Sequence, residues 1–303
     1  MNQTLISSQA KPGERIVVFF IRAAGYLSIV YVSLICLFLM REGFPALVNV
    51  PISSLFGQFW YPIEGNFALW PLVLGSITVT IGALIIAIPL GIGTAVYIAE
   101  VAPAWMNEIL KPLVEILAGL PSVVLGFIGI LVLSPFIRRT LGLPTGLTAF
   151  TGALLLGWSA IPTIVSVAED ALHAVPHSYR EASMALGATR WQTIWGVTVP
   201  AARSGVLTAI MLGMGRVIGE TMAVMMVTGN APVGTVAWNT LFSPVRTMTA
   251  TIAAEMGEVA NGSTHYQVLF LIGILLFVMS LVINLLAFSI SSRRLKRSER
   301  LLS

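Results

Sequence analysis

Apolar positions along this chain neither alternate nor recur at helical spacing over most of its length; they run on, unbroken, for the length of a bilayer. A helix needs about 20 mostly apolar residues to cross a hydrocarbon core of about 30 Å. Six segments meet that length, near residues 16–40, 67–99, 113–137, 147–167, 205–228 and 267–291. Pro89, Pro121 and Pro162 interrupt three of them, which a membrane tolerates where neighbouring helices satisfy the freed carbonyls. The pattern predicts an all-α polytopic membrane protein with six transmembrane helices and both termini on one side.

Composition agrees. The chain of 303 residues is 56% hydrophobic and 10% charged, with mean hydropathy +0.90; a soluble domain carries about 25% charged residues. The sequence pI near 9.5 does not point to nucleic acid, because the basic residues sit at segment ends, where they set topology. With a cytoplasmic amino end, the inner segments hold twelve of them (Lys11, Arg15, Arg22, Lys111, Arg180, Arg190, Arg203, Arg293, Arg294, Lys296, Arg297, Arg300). The outer segments hold four: Arg41, Arg138, Arg139 and Arg246. That asymmetry places both termini in the cytoplasm. Arg138 and Arg139 run against it and read either as an interfacial anchor or as an electropositive funnel for an anion. The first apolar segment exceeds a signal-peptide core, and Met40-Arg41-Glu42-Gly43 offers no small-x-small cleavage pattern, so it reads as an uncleaved span. Cys36 is the single cysteine, which excludes an intrachain disulfide.

The connections carry their own signals. Phe59-Trp60-Tyr61-Pro62, Phe67 and Trp70 read as an aromatic belt at the outer interface. The outer stretch 229–265 is too polar for lipid and predicts a short helix over 247–259 with Glu255 and Glu258 facing water. On the inner side, 168–204 is the longest connection. Ser178-Tyr179-Arg180-Glu181 fits a capping box, Gly187 suits a left-handed helix end, and Trp191, Ile194 and Trp195 fall near one face of a second short helix. Two short helices bearing aromatics read as a docking knob or as an elbow lying on the headgroups.

One segment places charge inside the lipid-compatible run. Gly215-Arg216-Val217-Ile218-Gly219-Glu220-Thr221 carries an arginine and a glutamate four residues apart. On a continuous helix they lie about 40° apart and about 6 Å along the axis, close enough to pair. A charge at the bilayer centre costs about 2.5–3.5 kcal/mol on insertion scales, so such residues face a bundle interior or a water-filled path. The pair reads as an anion site in which substrate competes with Glu220, or as a structural ion pair locking the fifth span to a neighbour. Thr221 and Ser122 offer hydroxyls to a passing anion, and Gly215 and Gly219 form a small-xxx-small packing stripe.

Other chemistry lacks its motif. A phosphate-cradling Gly-x-x-x-x-Gly-Lys-Ser/Thr loop is missing, so this chain is not read as an enzyme. His173, His177 and His265 have no cysteine or paired carboxylate beside them in sequence, so no metal site is expected.

Glu181-Ala182-Ser183, Gly187 six residues after the glutamate, and Val197-Thr198-Val199-Pro200 resemble the EAA loop of bacterial ABC importer permeases, departing from it by Ser183 and by valines for isoleucine and leucine. Gly-Arg-x-x-Gly-Glu-Thr at 215–221, Leu120-Pro121-Ser122-Val123-Val124-Leu125-Gly126 and Tyr97-Ile98-Ala99-Glu100 are similar to the phosphate importer permeases of the PstC type, over roughly 67–291. The resemblance implies the importer-permease (MetI-like) fold in the bacterial inner membrane. It divides the chain into an amino-terminal part (1–66), a permease core (67–292) with its coupling loop (168–204), and a basic tail (293–303). It implies a PstA-like sister permease, a dimer of cytoplasmic ATP-binding subunits and an extracytoplasmic phosphate-binding protein as partners, besides the lipid bilayer and no nucleic acid. No cofactor is bound by this chain, and ATP is used by the partner ATPase. Glu181, Ala182, Ser183, Gly187 and Pro200 take the coupling role; Arg216, Glu220, Thr221, Ser122, Arg138 and Arg139 take the substrate path. Rival readings are an ion-coupled secondary anion carrier, a permease for another oxyanion, and a membrane scaffold whose loop recruits a cytosolic protein.

Overall fold

The computed structural model describes residues 12–231 and 241–299, almost all helical. Among the described residues five helices are long and apolar enough to span a membrane, six if a pair bent by 71° counts as one span. They are α1 (Pro12–Asn49), α2 (Trp70–Val101), α4 (Ser122–Leu141), α5 (Ala149–His173) and α11 (Thr264–Glu299), with the bent pair α7 (Arg190–Ala201) and α8 (Arg203–Gly219). Between them lie α3 (Ala104–Ala118), α6 (His177–Ala185), α9 (Met222–Val227) and α10 (Met248–Glu255).

The bundle centre is α2 packed on α5, with α8 across both. Ala83, Ala87, Ala153, Ala160 and Ala209 are fully buried there or nearly so, as expected where backbones approach closely without a hydrophobic driving force. Ile164 on α5 wedges between two helices: a Cβ on Gly91 of α2 or on Gly213 of α8 would meet it at 2.8 and 2.5 Å. A second cluster joins α1 and α11 with Trp60, Phe67, Leu72 and Met248. Elsewhere α1 is exposed from Ile16 to Ile35, the expected state of a helix whose apolar surface meets hydrocarbon.

Several boundaries differ from the hydropathy reading. The first helix runs through Met40-Arg41-Glu42-Gly43 to Asn49 although glycine disfavours helix; Gly43 packs closely on α11, where an added Cβ would meet Ile274 at 2.7 Å. The third span starts at Ser122; Gly119 to Pro121 separates it from α3, whose apolar side the hydropathy reading merged into the span. Among the described residues the predicted aromatic belt is split. Phe59, Tyr61 and Trp70 are exposed, but Trp60 is buried in a two-stranded hairpin, β1 (Trp60–Tyr61) with β2 (Asn66–Phe67). The predicted helix of the outer stretch is present as α10, capped by Thr247 Oγ1 accepting from Ala250 N at 3.3 Å. Glu255 does not face water. It accepts from Trp60 Nε1 at 3.1 Å and from the Arg246 guanidinium, and lies 2.8 Å from His265 Nε2. Pro232, Gly234 and Trp238 of that stretch, Lys11, and the tail from Arg300 lie outside the described residues.

Candidate anion site and coupling loop

The largest departure falls on the charged segment. Helix α8 ends at Gly219; Glu220 turns to extended backbone (φ −71°, ψ 130°) and α9 starts afresh at Met222. The cause is local. Glu220 Oε1 accepts from Thr221 N at 3.1 Å and Ala223 N at 3.3 Å, satisfying first-turn amides of α9 as a capping carboxylate does. Thr221 Oγ1 donates to the Gly219 carbonyl at 3.3 Å, and Thr249 Oγ1 on α10 donates to the Glu220 carbonyl at 3.1 Å. Side chains thus take the bonds that a continuing helix would make. The predicted four-residue helical pairing is overturned with it: among the described residues no ion pair joins Arg216 to Glu220.

Arg216 reaches elsewhere. Its Nη1 donates to Thr163 Oγ1 of α5 at 3.3 Å, and its Nη2 to the Ala118 carbonyl at 3.4 Å. Ala118 closes α3 just before the Gly119–Pro121 break, so the guanidinium lies at the negative end of a helix dipole. Both bonds are long, both acceptors are neutral, and the side chain is half-buried. Its other N–H donors meet no protein acceptor among the described residues. Ser122 opens α4 immediately beyond the same break, four residues along the chain from the Ala118 carbonyl that Arg216 holds. Glu220 faces a narrow space shared with Ser76, Thr80, Thr247 and Thr249.

Arg138 and Arg139 lie apart from Arg216. They sit in the last turn of α4, and the 16 residues from Ser122 put them about 24 Å up the span. Both are exposed and line a cavity of about 700 Å³ with the 142–147 loop.

The inner connection folds as two short helices. The predicted box at Ser178–Glu181 is not formed: α6 begins at His177 behind Pro176, so Ser178 already lies inside it. Glu181 and Ala182 are exposed, and Gly187 adopts φ +87°, the left-handed turn expected of it. A capping box does form one helix later: Thr189 Oγ1 accepts from Gln192 N, and Gln192 Oε1 from Thr189 N at 2.9 Å. Thr189-Arg190-Trp191-Gln192 carries that signal in sequence as plainly as 178–181 does. Ser183 Oγ and Thr193 Oγ1, 3.0 Å apart, tie the two helices. Trp191 and Trp195 stand exposed and edge-to-face at 5.7 Å, whereas Ile194 turns inward and is buried, against the expectation of a shared face. Pro200 lies just before the bend into α8.

Two anchors that sequence reasoning missed fix this loop to the bundle. Arg180 donates to Glu100 (Nη2 to Oε1 at 2.6 Å, Nε to the same oxygen at 3.0 Å) and to the carbonyls of Val175 and Leu172. Glu100 lies in the π-helical last turn of α2, and its carbonyl also accepts from Arg190. Beside them, Lys111 of α3 pairs with buried Glu169 at 3.3 Å, and His173 stands at the same distance from that carboxylate. The Glu169 carboxylate, chiefly by its charge, raises the Lys111 pKa above its ordinary 10.5, against desolvation.

Residues 87–297 match the family described as "Binding-protein-dependent transport system inner membrane component". The "Probable ABC transporter permease protein YqgH" of Bacillus subtilis is 41% identical over 80% of this chain and 79% of its own. The "Phosphate transport system permease protein PstC" of Mesorhizobium japonicum is 32% identical over 88% and 86%. Among solved structures, the MetNI methionine ABC transporter in inward-facing conformations superposes with TM-score 0.55 at 20% identity, covering 74% of this chain and 93% of that one. A bacterial ABC transporter importing the acidic polysaccharide alginate gives 0.55 at 16% identity, over 92% and 99%. At such identities the superpositions speak to fold alone.

Proposed function

Because this chain belongs to the inner-membrane components of binding-protein-dependent transport systems, we propose that it is the permease subunit of an ATP-driven importer of inorganic phosphate. Permeases of this family are multi-pass inner-membrane subunits that work with a second permease and with separate ATPase subunits. The proposed sister subunit is PstA-like, a dimer of ATP-binding subunits docks below, and an extracytoplasmic phosphate-binding protein delivers substrate. No cofactor is assigned to this chain.

The observation that carries the substrate assignment is Arg216. A permanently charged, forked donor stands half-buried in the bundle, holding two neutral oxygens by long bonds. Such a group gains by exchanging them for a phosphate oxyanion, to which arginine can donate two parallel bonds. Relatives named as phosphate permeases share about 30% of the sequence over most of the chain, which supports the same reading. Glu220 has a different part from a counter-ion in competition with substrate. It holds the break between α8 and α9 and so fixes the depth at which Arg216 stands. The coupling role is assigned to the exposed Glu181–Ala182 edge of α6 and the tryptophan pair. Arg180 and Glu100 pass their movement to α2, and the bend at Ala202 passes it to α8.

The test is ATP-dependent uptake of radiolabelled phosphate into vesicles containing the full set of subunits. Arg216→Gln is expected to abolish uptake with assembly intact, and sulfate or molybdate in excess to leave wild-type uptake unchanged. Normal uptake by Arg216→Gln sinks the site; competition by another oxyanion sinks the substrate; uptake without ATP points to an ion-coupled carrier.

A further inference from the structure

The two arginines that break the charge asymmetry stand in a formed cavity. Arg138 and Arg139 occupy the last turn of α4, where Gly142, at φ +63°, and Leu143 both donate their amides to the Arg138 carbonyl. The loop behind them is fixed. A Cβ at Gly146 would lie 1.9 Å from the Ser134 carbonyl, Thr151 Oγ1 donates to the Gly146 carbonyl at 2.6 Å, and Leu147 N donates to Thr145 Oγ1 at 3.1 Å. The result is an open cleft of about 700 Å³ at the outer end of the third span.

Neither guanidinium has an ion pair among the described residues, and both line the same cavity although consecutive helical positions set them about 100° apart around the axis. An anion with several oxygens in that cavity can accept from both. Two planar donors fit a group with several oxygens in a small volume better than a single carboxylate.

We propose that this outer cavity is a second oxyanion site, separate from Arg216, that binds a phosphoryl group through Arg138 and Arg139, with the Thr145–Gly146 turn as its far wall. Two sources present that chemistry at this depth: the headgroup of an anionic phospholipid in the outer leaflet, and free orthophosphate on its way to the permease. The free-phosphate source rests on the function proposed above; the lipid source does not.

The full-length chain in phosphatidylcholine nanodiscs is titrated with radiolabelled inorganic phosphate. In parallel, nanodiscs doped with phosphatidylglycerol are read by native mass spectrometry for lipid retained on the protein. Arg138→Gln/Arg139→Gln is expected to weaken at least one probe about tenfold or more, the equivalent of one charge-assisted hydrogen bond lost. Arg138→Lys/Arg139→Lys is expected to fall between it and wild type, and Arg216→Gln to leave phosphatidylglycerol retention unchanged. Loss of phosphate alone assigns the site to solute, loss of phosphatidylglycerol alone assigns it to lipid, and loss of both makes it common to the two. Wild-type binding of both probes by the glutamine pair, with a wild-type melting curve, overturns the site. If the pair fails to fold, the single glutamine variants are read the same way. Because Arg216 stays intact in these variants, failure here and failure of the transport reading are told apart.

Discussion

Replacing Glu100 by glutamine cuts the strongest bond between the inner loop and the spans. Arg180 and Glu100 are 13% and 9% exposed, and the guanidinium meets the carboxylate through both Nε and Nη2. Removing one partner of a buried ion pair costs about 3–5 kcal/mol, because the other charge is left uncompensated. Residual solvent trims that figure, and Arg180 keeps the Val175 and Leu172 carbonyls at 2.7 and 2.9 Å. A loss of about 2–3 kcal/mol is expected for Glu100→Gln. Tryptophan fluorescence reads it during denaturant titration of the full chain in nanodiscs, with Trp191 and Trp195 on the affected loop. Arg180→Gln should cost a similar amount, and the double variant about 1–2 kcal/mol less than the sum. In the assembled transporter, Glu100→Gln should uncouple ATP hydrolysis from uptake while the ATPase still co-purifies. Stability within about 0.5 kcal/mol of wild type, together with unchanged coupling, would refute the clamp.

Four further outcomes follow. Thr249→Val removes the bond to the Glu220 carbonyl; about 1 kcal/mol of stability and part of the uptake rate should go, with Thr249→Ser retaining both, measured by melting and vesicle transport. Gly219→Leu adds a side chain whose Cβ meets nothing within 4 Å in this chain. Its own fold should therefore survive while co-purification with a second permease is lost, if the Gly215–Gly219 stripe is the contact. Arg216→Lys keeps the charge and loses the fork, so uptake should fall well below wild type and stay above Arg216→Gln in the same vesicles. The Lys111 pKa is raised in the folded state, so its stabilising contribution is complete below the ordinary lysine pKa and fades as pH climbs through the raised value; base-induced unfolding should show that loss, and Lys111→Gln should flatten it.

The spans were legible because a bilayer demands uninterrupted apolar length, and five of six regions hold a single spanning helix. Gly187 was legible for an equally local reason, its left-handed turn. The charged segment was misread because helical spacing was extended across Glu220. A carboxylate followed by a threonine can cap its own chain, and hydropathy does not register that competition. Arg180–Glu100 and Arg246–Glu255 join residues 80 and 9 apart in sequence. No pattern of period 2 or 3.6 announces either one, since each depends on how helices already packed bring loop ends together. Trp60 was read as interfacial from its neighbours alone. Its burial follows from Glu255, which folds in to meet it.

The bend at Ala202 makes α7 and α8 a bell crank. Arg216 lies 13 residues beyond Arg203, an arm of about 20 Å along α8. A tilt of about 5° at the pivot swings that guanidinium by about 1.7 Å on such an arm. Bonds of 3.3 and 3.4 Å to Thr163 and Ala118 do not survive that sweep, since hydrogen bonds fade over a few tenths of an ångström past their normal length. A change in the angle of the inner loop, if carried along α8, would therefore break the arginine's bonds to α3 and α5. On the transport function proposed above, a small displacement at the cytoplasmic surface would decide whether its donors stay on the protein or are freed for an anion.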